Sequence, residues 1–189
     1  AIQQTGRQRA LSDPFWATGI NSMRPGPRGI VRELDAAFDR SPKLSPYLWT
    51  GSGYRTGSSE HGSGCAIDDI ITANTGVRPS AAERAAALLY LGWLVANHKI
   101  LGIKGILFSR DGKNRTEVWG YSTPGKGWRQ LADRGSISLN HIDHIHILFY
   151  ENASWPSSLN GVIIGGAPPT PVAPPVLPAY AGVFPTRMT

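Results

Sequence analysis

Apolar residues recur at helical spacing over residues 28–39, where Ile30, Val31, Leu34, Ala37 and Phe38 share one face, and the pattern predicts an amphipathic helix ended by Pro42. Ser80-Ala81-Ala82-Glu83 marks a second helix, a capping-box pattern in which serine and glutamate satisfy each other's backbone N–H groups. It is expected to run to about His98, and the broad apolar surface made by its leucines with Trp93 and Val95 makes it the expected most buried helix. Elsewhere the period is that of strands. Residues 47–55 read as a strand leading into a loop that carries Tyr54 and Arg55, and 102–108, 118–121 and 144–150 read as short strands parted by turn residues such as Asp111-Gly112. Helices early and strands late predict an α+β domain, a small antiparallel sheet with helices packed on it.

The ends of the chain read differently. Residues 1–27 are polar and broken by glycine and proline, an expected irregular lead-in with Phe15 and Trp16 as anchors. From Gly161 onward the composition turns to proline, with seven of the fifteen prolines within 168–185, and such a segment favours extended geometry as a spacer or docking strap. The expected organisation is a lead-in over 1–27, one folded domain over 28–160 and a Pro-rich tail or linker over 161–189.

Composition narrows the function classes. The 189 residues are 41% hydrophobic, enough for one ordinary core, and no apolar run approaches the roughly 18 residues a membrane helix needs, so no membrane insertion is expected. No signal peptide opens the chain, which begins at Ala1 rather than Met, and export is left open. Cys65, the single cysteine, rules out an internal disulfide. A net charge of +6 favours anionic partners, whether nucleic acid, anionic lipid or bacterial wall. The lysines and arginines are scattered and no nucleic-acid-binding signature is present, so nucleic acid is not the expected partner.

The chemistry concentrates in two stretches about eighty residues apart, 59–68 (SEHGSGCAID) and 141–146 (HIDHIH), which hold four of the five histidines. Zinc takes imidazole nitrogen and carboxylate oxygen, and a catalytic zinc keeps a fourth position open beyond three protein ligands. His61, Asp68 and His146 supply such a set. The plainer alternative is a polar turn followed by a strand with solvated histidines. If 64–70 is extended, Ala66 and Asp68 face one way while Cys65 and Ile67 face the other, which makes Cys65 a packed thiol rather than a ligand. Gly62 and Gly64 suit a tight backbone near an ion. By the same alternation His144 and His146 share one face of the later strand, and Ile145 and Ile147 share the other.

Ser59, His61, Gly64, Ala66 and Asp68 match the pattern SxHxxGxAxD, and here the chain resembles the zinc D-Ala-D-Ala carboxypeptidases and peptidoglycan L,D-endopeptidases, a group related in fold to lysostaphin and the hedgehog domain. The resemblance extends over about 47–150, through Ser52-Gly53-Tyr54-Arg55, Trp119, Trp128 and Asp143-His144-Ile145-His146. It implies one zinc ion held by His61, Asp68 and His146, and a general base at either Asp143 or His144. The pleat favours His144, unless Asp143 lies in a turn where alternation does not hold. Arg55 would stabilise an oxyanion or hold a substrate carboxylate. His141, five positions before the last ligand, departs from the Glu-x-x-Trp-His form of the carboxypeptidases and points to the endopeptidases. Tyr54, Trp119 and Trp128 are expected in the core or at its rim, and His98 as a helix cap.

The implied function is hydrolysis of stem or cross-link peptides of bacterial peptidoglycan by metal-activated water, without a covalent intermediate, at the cell wall. A phage endolysin or virion tail component, with a wall-binding module or tail protein joined through the Pro-rich segment, fits this reading, and so does a host-secreted wall carboxypeptidase. From a different class, a zinc-stabilised binding module without catalysis is the alternative, against which both candidate bases stand.

Overall fold

Pro25 opens the first helix, α1 (Pro25–Leu34), where a missing N–H is no loss and a fixed φ suits the first turn. The computed structural model of the chain describes residues 19–34, 49–57, 60–120 and 127–156. The expected continuation of α1 to residue 39, Pro42, Phe15, Trp16, Tyr121 and the Pro-rich tail lie outside the described residues. The helix begins inside the segment expected to be an irregular lead-in, because prolines in a first helical turn start a helix rather than break it. Ile20, in a 3-10 turn at Ile20–Ser22, and Met23 are buried with Ile30, Val31 and Leu34, so the core also starts before residue 28.

Six strands form one antiparallel sheet in the order β1-β2-β6-β3-β4-β5: β1 (Trp49–Ser52), β2 (Ala66–Ile70), β3 (Ile103–Phe108), β4 (Glu117–Gly120), β5 (Trp128–Gln130) and β6 (His144–Phe149). The expected α+β architecture is the one observed, with β5 a strand the sequence pattern did not suggest. Strands β2 and β6 lie inside the sheet and are buried along their whole length. Alternation sorts their side chains: Ile67, Ile145, Ile147 and Phe149 join the main core with α1, while Asp68, His144 and His146 take the other face. The core thus leaves one face of the sheet for chemistry.

The second helix, α2 (Ala81–Ala96), starts on the predicted capping box, with Ser80 N–H on Glu83 Oε2 at 2.6 Å and Glu83 N–H on Ser80 Oγ at 3.2 Å. It stops at Asn97, and a short helix α3 (His98–Leu101) follows. It is not buried all round: Ala87, Tyr90, Leu91 and Leu94 make one inward stripe while Leu89 is exposed, the ordinary arrangement of a helix laid on a sheet. Tyr90 reaches through that interface to donate to Asp69 Oδ2 at 2.7 Å, and Thr50 Oγ1 donates to Asp69 Oδ1 at 2.9 Å, so a carboxyl pointing into the core has both oxygens satisfied. Burial nevertheless pushes Asp69 up to about 6, against those two hydrogen bonds.

Cys65 corrects one expectation. It is buried, but with Ala66 and Leu148 on the side away from Ile67. Strand β2 begins only at Ala66, so the alternation assumed for Cys65 does not reach it. No helix among the described residues is long and apolar enough to cross a membrane.

Candidate metal centre

A turn and two neighbouring strands build the centre. His61 opens a 3-10 turn, His61–Ser63, that closes on Gly64 at φ 75°, a left-handed position that favours glycine. The turn is tied to the start of α1 by the Arg24 N–H on Gly64 O at 2.9 Å and Arg24 Nε on Ser63 O at 3.2 Å. Asp68 and His146 are directly opposite each other in the β2–β6 pairing, and Ile70 pairs with His144 one step along the same face. Ser59 lies outside the described residues.

His61, Asp68 and His146 are buried and converge as a group able to hold a metal ion. Asp68 Oδ1 is 3.2 Å from His61 Nε2 and 2.8 Å from His146 Nδ1. Donors at about 2.0–2.1 Å from a four-coordinate zinc stand about 3.3 Å apart, close to the His61–Asp68 separation. The hydrogen count also asks for a cation. His61 Nδ1 lies 2.6 Å from the carbonyl oxygen of Gly53, which only accepts, so Nδ1 carries the hydrogen and Nε2 of the neutral ring is a bare lone pair. That Nε2 is buried, has no hydrogen-bond partner among the described residues and faces a carboxylate oxygen. Two electron pairs opposed in this way are stabilised by a positive ion between them.

Asp68 is prepared for this role. Burial works against its charge, yet the hydrogen bond from His146, together with the neighbouring histidine rings, outweighs it and holds the carboxyl well below the usual range. Its second oxygen, Oδ2, accepts from Ser52 Oγ at 2.8 Å and Arg55 Nη2 at 2.9 Å, which leaves Oδ1 turned to the histidines. Arg55 lies at the rim of the centre, half-exposed, with Nη2 on the Asp68 carboxylate. His146 is buried, which disfavours its charge, but Asp68 and Glu60 together raise it to about 9. Metal binding there displaces a proton.

Asp143 and His144 form a unit. Asp143 Oδ1 is 2.8 Å from His144 Nδ1, while its Oδ2 accepts from Gly76 N–H at 2.5 Å and Ser138 Oγ at 2.7 Å. His144 Nε2 is turned to the centre, 3.6 Å from Asp68 Oδ1, and Asp143 itself is fully enclosed. Burial raises the Asp143 carboxyl, but the hydrogen bonds from His144, Ser138 and Gly76 outweigh it and hold it at about 2. A depressed folded value contributes stability above the unfolded value near 4 that is lost as pH falls through about 2. Asp143→Asn is accordingly expected to cost about 2 kcal/mol at neutral pH, with the gap to the unsubstituted chain closing between about pH 4 and pH 2, as read by urea unfolding at a series of pH values.

His141 completes the wall. It holds a left-handed backbone at φ 51°, rare for a residue with a side chain, and its ring lies 4.8 Å from that of His144 and 5.7 Å from that of His146. Burial, with His144 and His146 close by, lowers it to about 2, so it stays neutral, with Nδ1 3.2 Å from Thr116 Oγ1. His98 is elsewhere, 2.7 Å from the Val95 carbonyl and edge-on to Trp119, which makes it the helix-end residue expected. Trp119 is core, and Tyr54 and Trp128 pack against it. Cys65 is not among the convergent groups.

Four contributors were not singled out from the sequence. Ser52 precedes the first motif with no signal of its own; Glu60 occupies a variable position of the motif, and its carboxylate lies 2.9 Å from His146 Nε2. Gly76, 67 positions from Asp143 along the chain, and Ser138, 5 positions from it, carried no signal at all.

Comparison with known proteins bears on 21–142, which match the model of the family described as VldE, C-terminal domain. No curated protein and no solved structure matches the chain. The span takes in His61, Asp68 and His141 and stops one residue short of Asp143. With more than half of its length inside that match, the chain belongs to the VldE C-terminal domain family.

Proposed function

We propose that this chain is a zinc peptidase that hydrolyses peptide bonds in the stems or cross-links of bacterial peptidoglycan, with His61, Asp68 and His146 holding one zinc ion. The observation that carries the reading is the pairing of a His-Asp-His group with a second, separately oriented histidine: His144 Nε2 faces Asp68 Oδ1 while Asp143 holds its Nδ1. A zinc ion in that position supplies Lewis acidity, lowering the pKa of water to about 7 and polarising a carbonyl. His144, with its hydrogen on Nδ1 toward Asp143, has a lone pair on Nε2 to take a proton from the attacking water and return it to the leaving amine as the C–N bond breaks. Arg55 has one N–H on Asp68 and is half-exposed, so its remaining donors suit an oxyanion or a substrate carboxylate. Peptidoglycan as substrate rests on the resemblance of the two motifs, and the net charge of +6 supports approach to an anionic wall. Action at the bacterial wall, from a phage lysin or virion or from a secreted host enzyme, belongs to the same proposal.

A second reading, a zinc-stabilised binding module, is favoured by one observation: His61, Asp68, His144 and His146 are all buried, as in a closed structural site. Digestion of purified peptidoglycan by the metal-loaded full chain separates the two. New amino termini released from the stem peptides, seen by mass spectrometry and abolished by a chelator, are expected of the peptidase. Stoichiometric zinc with intact peptidoglycan would establish the binding module instead.

A further inference from the structure

The two imidazoles of the metal centre are not held alike. His61 presents Nε2 because Gly53 O occupies the Nδ1 side at 2.6 Å. His146 does the reverse: its Nδ1 is the nitrogen 2.8 Å from Asp68 Oδ1, and its Nε2 points away, with Glu60 Oε2 at 2.9 Å. We propose that Glu60 is the positioning residue of His146, its carboxylate taking the Nε2 hydrogen so that Nδ1 is the nitrogen offered to the metal and the two histidines bind through opposite ring atoms. The inference rests on the metal-centre reading above.

The proton count leads to it. A neutral imidazole carries one hydrogen, and a nitrogen that coordinates must give up its own, so the hydrogen of a metal-bound His146 resides on Nε2. That nitrogen is buried and makes no aligned hydrogen bond among the described residues, while the approach of Glu60 is an ion-pair contact whose N–H need only tilt to meet the oxygen. An acceptor that bears charge also makes the ring a better donor to the metal, as outer carboxylates do for coordinated histidines. Glu60 is well placed for this. Its carbonyl accepts from Ser63 N–H at 3.2 Å and from Ser63 Oγ at 2.6 Å, so the residue is anchored at the start of the turn that delivers His61. One turn then governs both histidines, supplying the first as a ligand and orienting the second. The Glu60 side chain is 34% exposed against 4% for His146, so removing it opens no cavity in the core.

The test uses the full chain, stripped of metal and titrated with zinc against a chromophoric chelator at neutral pH. Glu60→Ala is expected to weaken zinc binding by about 10–100-fold, and Glu60→Gln, which keeps an acceptor oxygen without the charge, to recover part of the loss. Nitrogen chemical shifts of labelled histidine in the zinc-loaded, unsubstituted chain supply a readout that a merely structural role would not move. They are expected to report coordination through Nε2 at His61 and through Nδ1 at His146. Zinc bound by Glu60→Ala within about twofold of the unsubstituted chain, or His146 coordinating through Nε2, overturns the assignment of Glu60 and leaves the metal centre standing. A chain that binds no zinc at all overturns both.

Discussion

His61→Ala is expected to abolish stoichiometric zinc binding and, with it, any hydrolysis of peptidoglycan peptides. The substitution removes one of three convergent donors and leaves Asp68 and His146 to hold an ion alone. Losing an outer partner of a ligand already costs about 10–100-fold in metal affinity, so loss of the ligand is expected to exceed a hundredfold. The effect is selective, because Nε2 of His61 is a buried lone pair with no other task, its Nδ1 being committed to Gly53. Cys65→Ser is the control: a thiol packed with Ala66 and Leu148 is expected to leave the zinc content at one ion per chain. Both are read by metal analysis of the purified protein after dialysis and by chelator competition. Full zinc content in His61→Ala would remove the centre from the account.

His144→Ala is expected to leave zinc bound and to lower kcat by about 10²–10⁴, the usual contribution of a positioned general base. Asp143→Asn is expected to act less severely, as the loss of the group that fixes the ring of His144. The assignment follows from lone pairs. Asp143 is enclosed and its oxygens are engaged by Gly76, Ser138 and His144, so it has no path to a water at the centre. His144 Nε2 faces Asp68 across 3.6 Å. Single-turnover hydrolysis with zinc content measured on the same samples decides the matter. A dead, zinc-loaded Asp143→Asn beside an active His144→Ala would reverse the roles.

The two candidate bases show where sequence reasoning stops. Period-two alternation in β6 was legible, and it correctly put His144 and His146 on one face and Ile145 and Ile147 in the core. Asp143 precedes the strand, and where its carboxylate turns depends on Gly76 and Ser138, one 67 positions upstream and the other 5. Cys65 taught the same lesson at the other end, since a pattern valid inside β2 fails one residue before it. The start of α1 at Pro25 departs from the expected start at residue 28 for a local reason, the double role of proline as breaker and helix starter.

By itself the sequence determined the donor types, their grouping into two stretches, the capped helix at Ser80 and which residues of each strand share a face. These are local properties, set by the covalent geometry of a few successive residues. The tertiary structure alone decided that Asp68 stands opposite His146 across 78 positions, that Glu60 meets the far nitrogen of that histidine, and that Asp143 turns from the centre to hold His144. Register and loop closure of this kind are settled by the packing of the whole core, in which burying Ile67, Ile145 and Ile147 together admits one alignment of β2 with β6, since a slip of one residue would exchange the buried face for the chemical one.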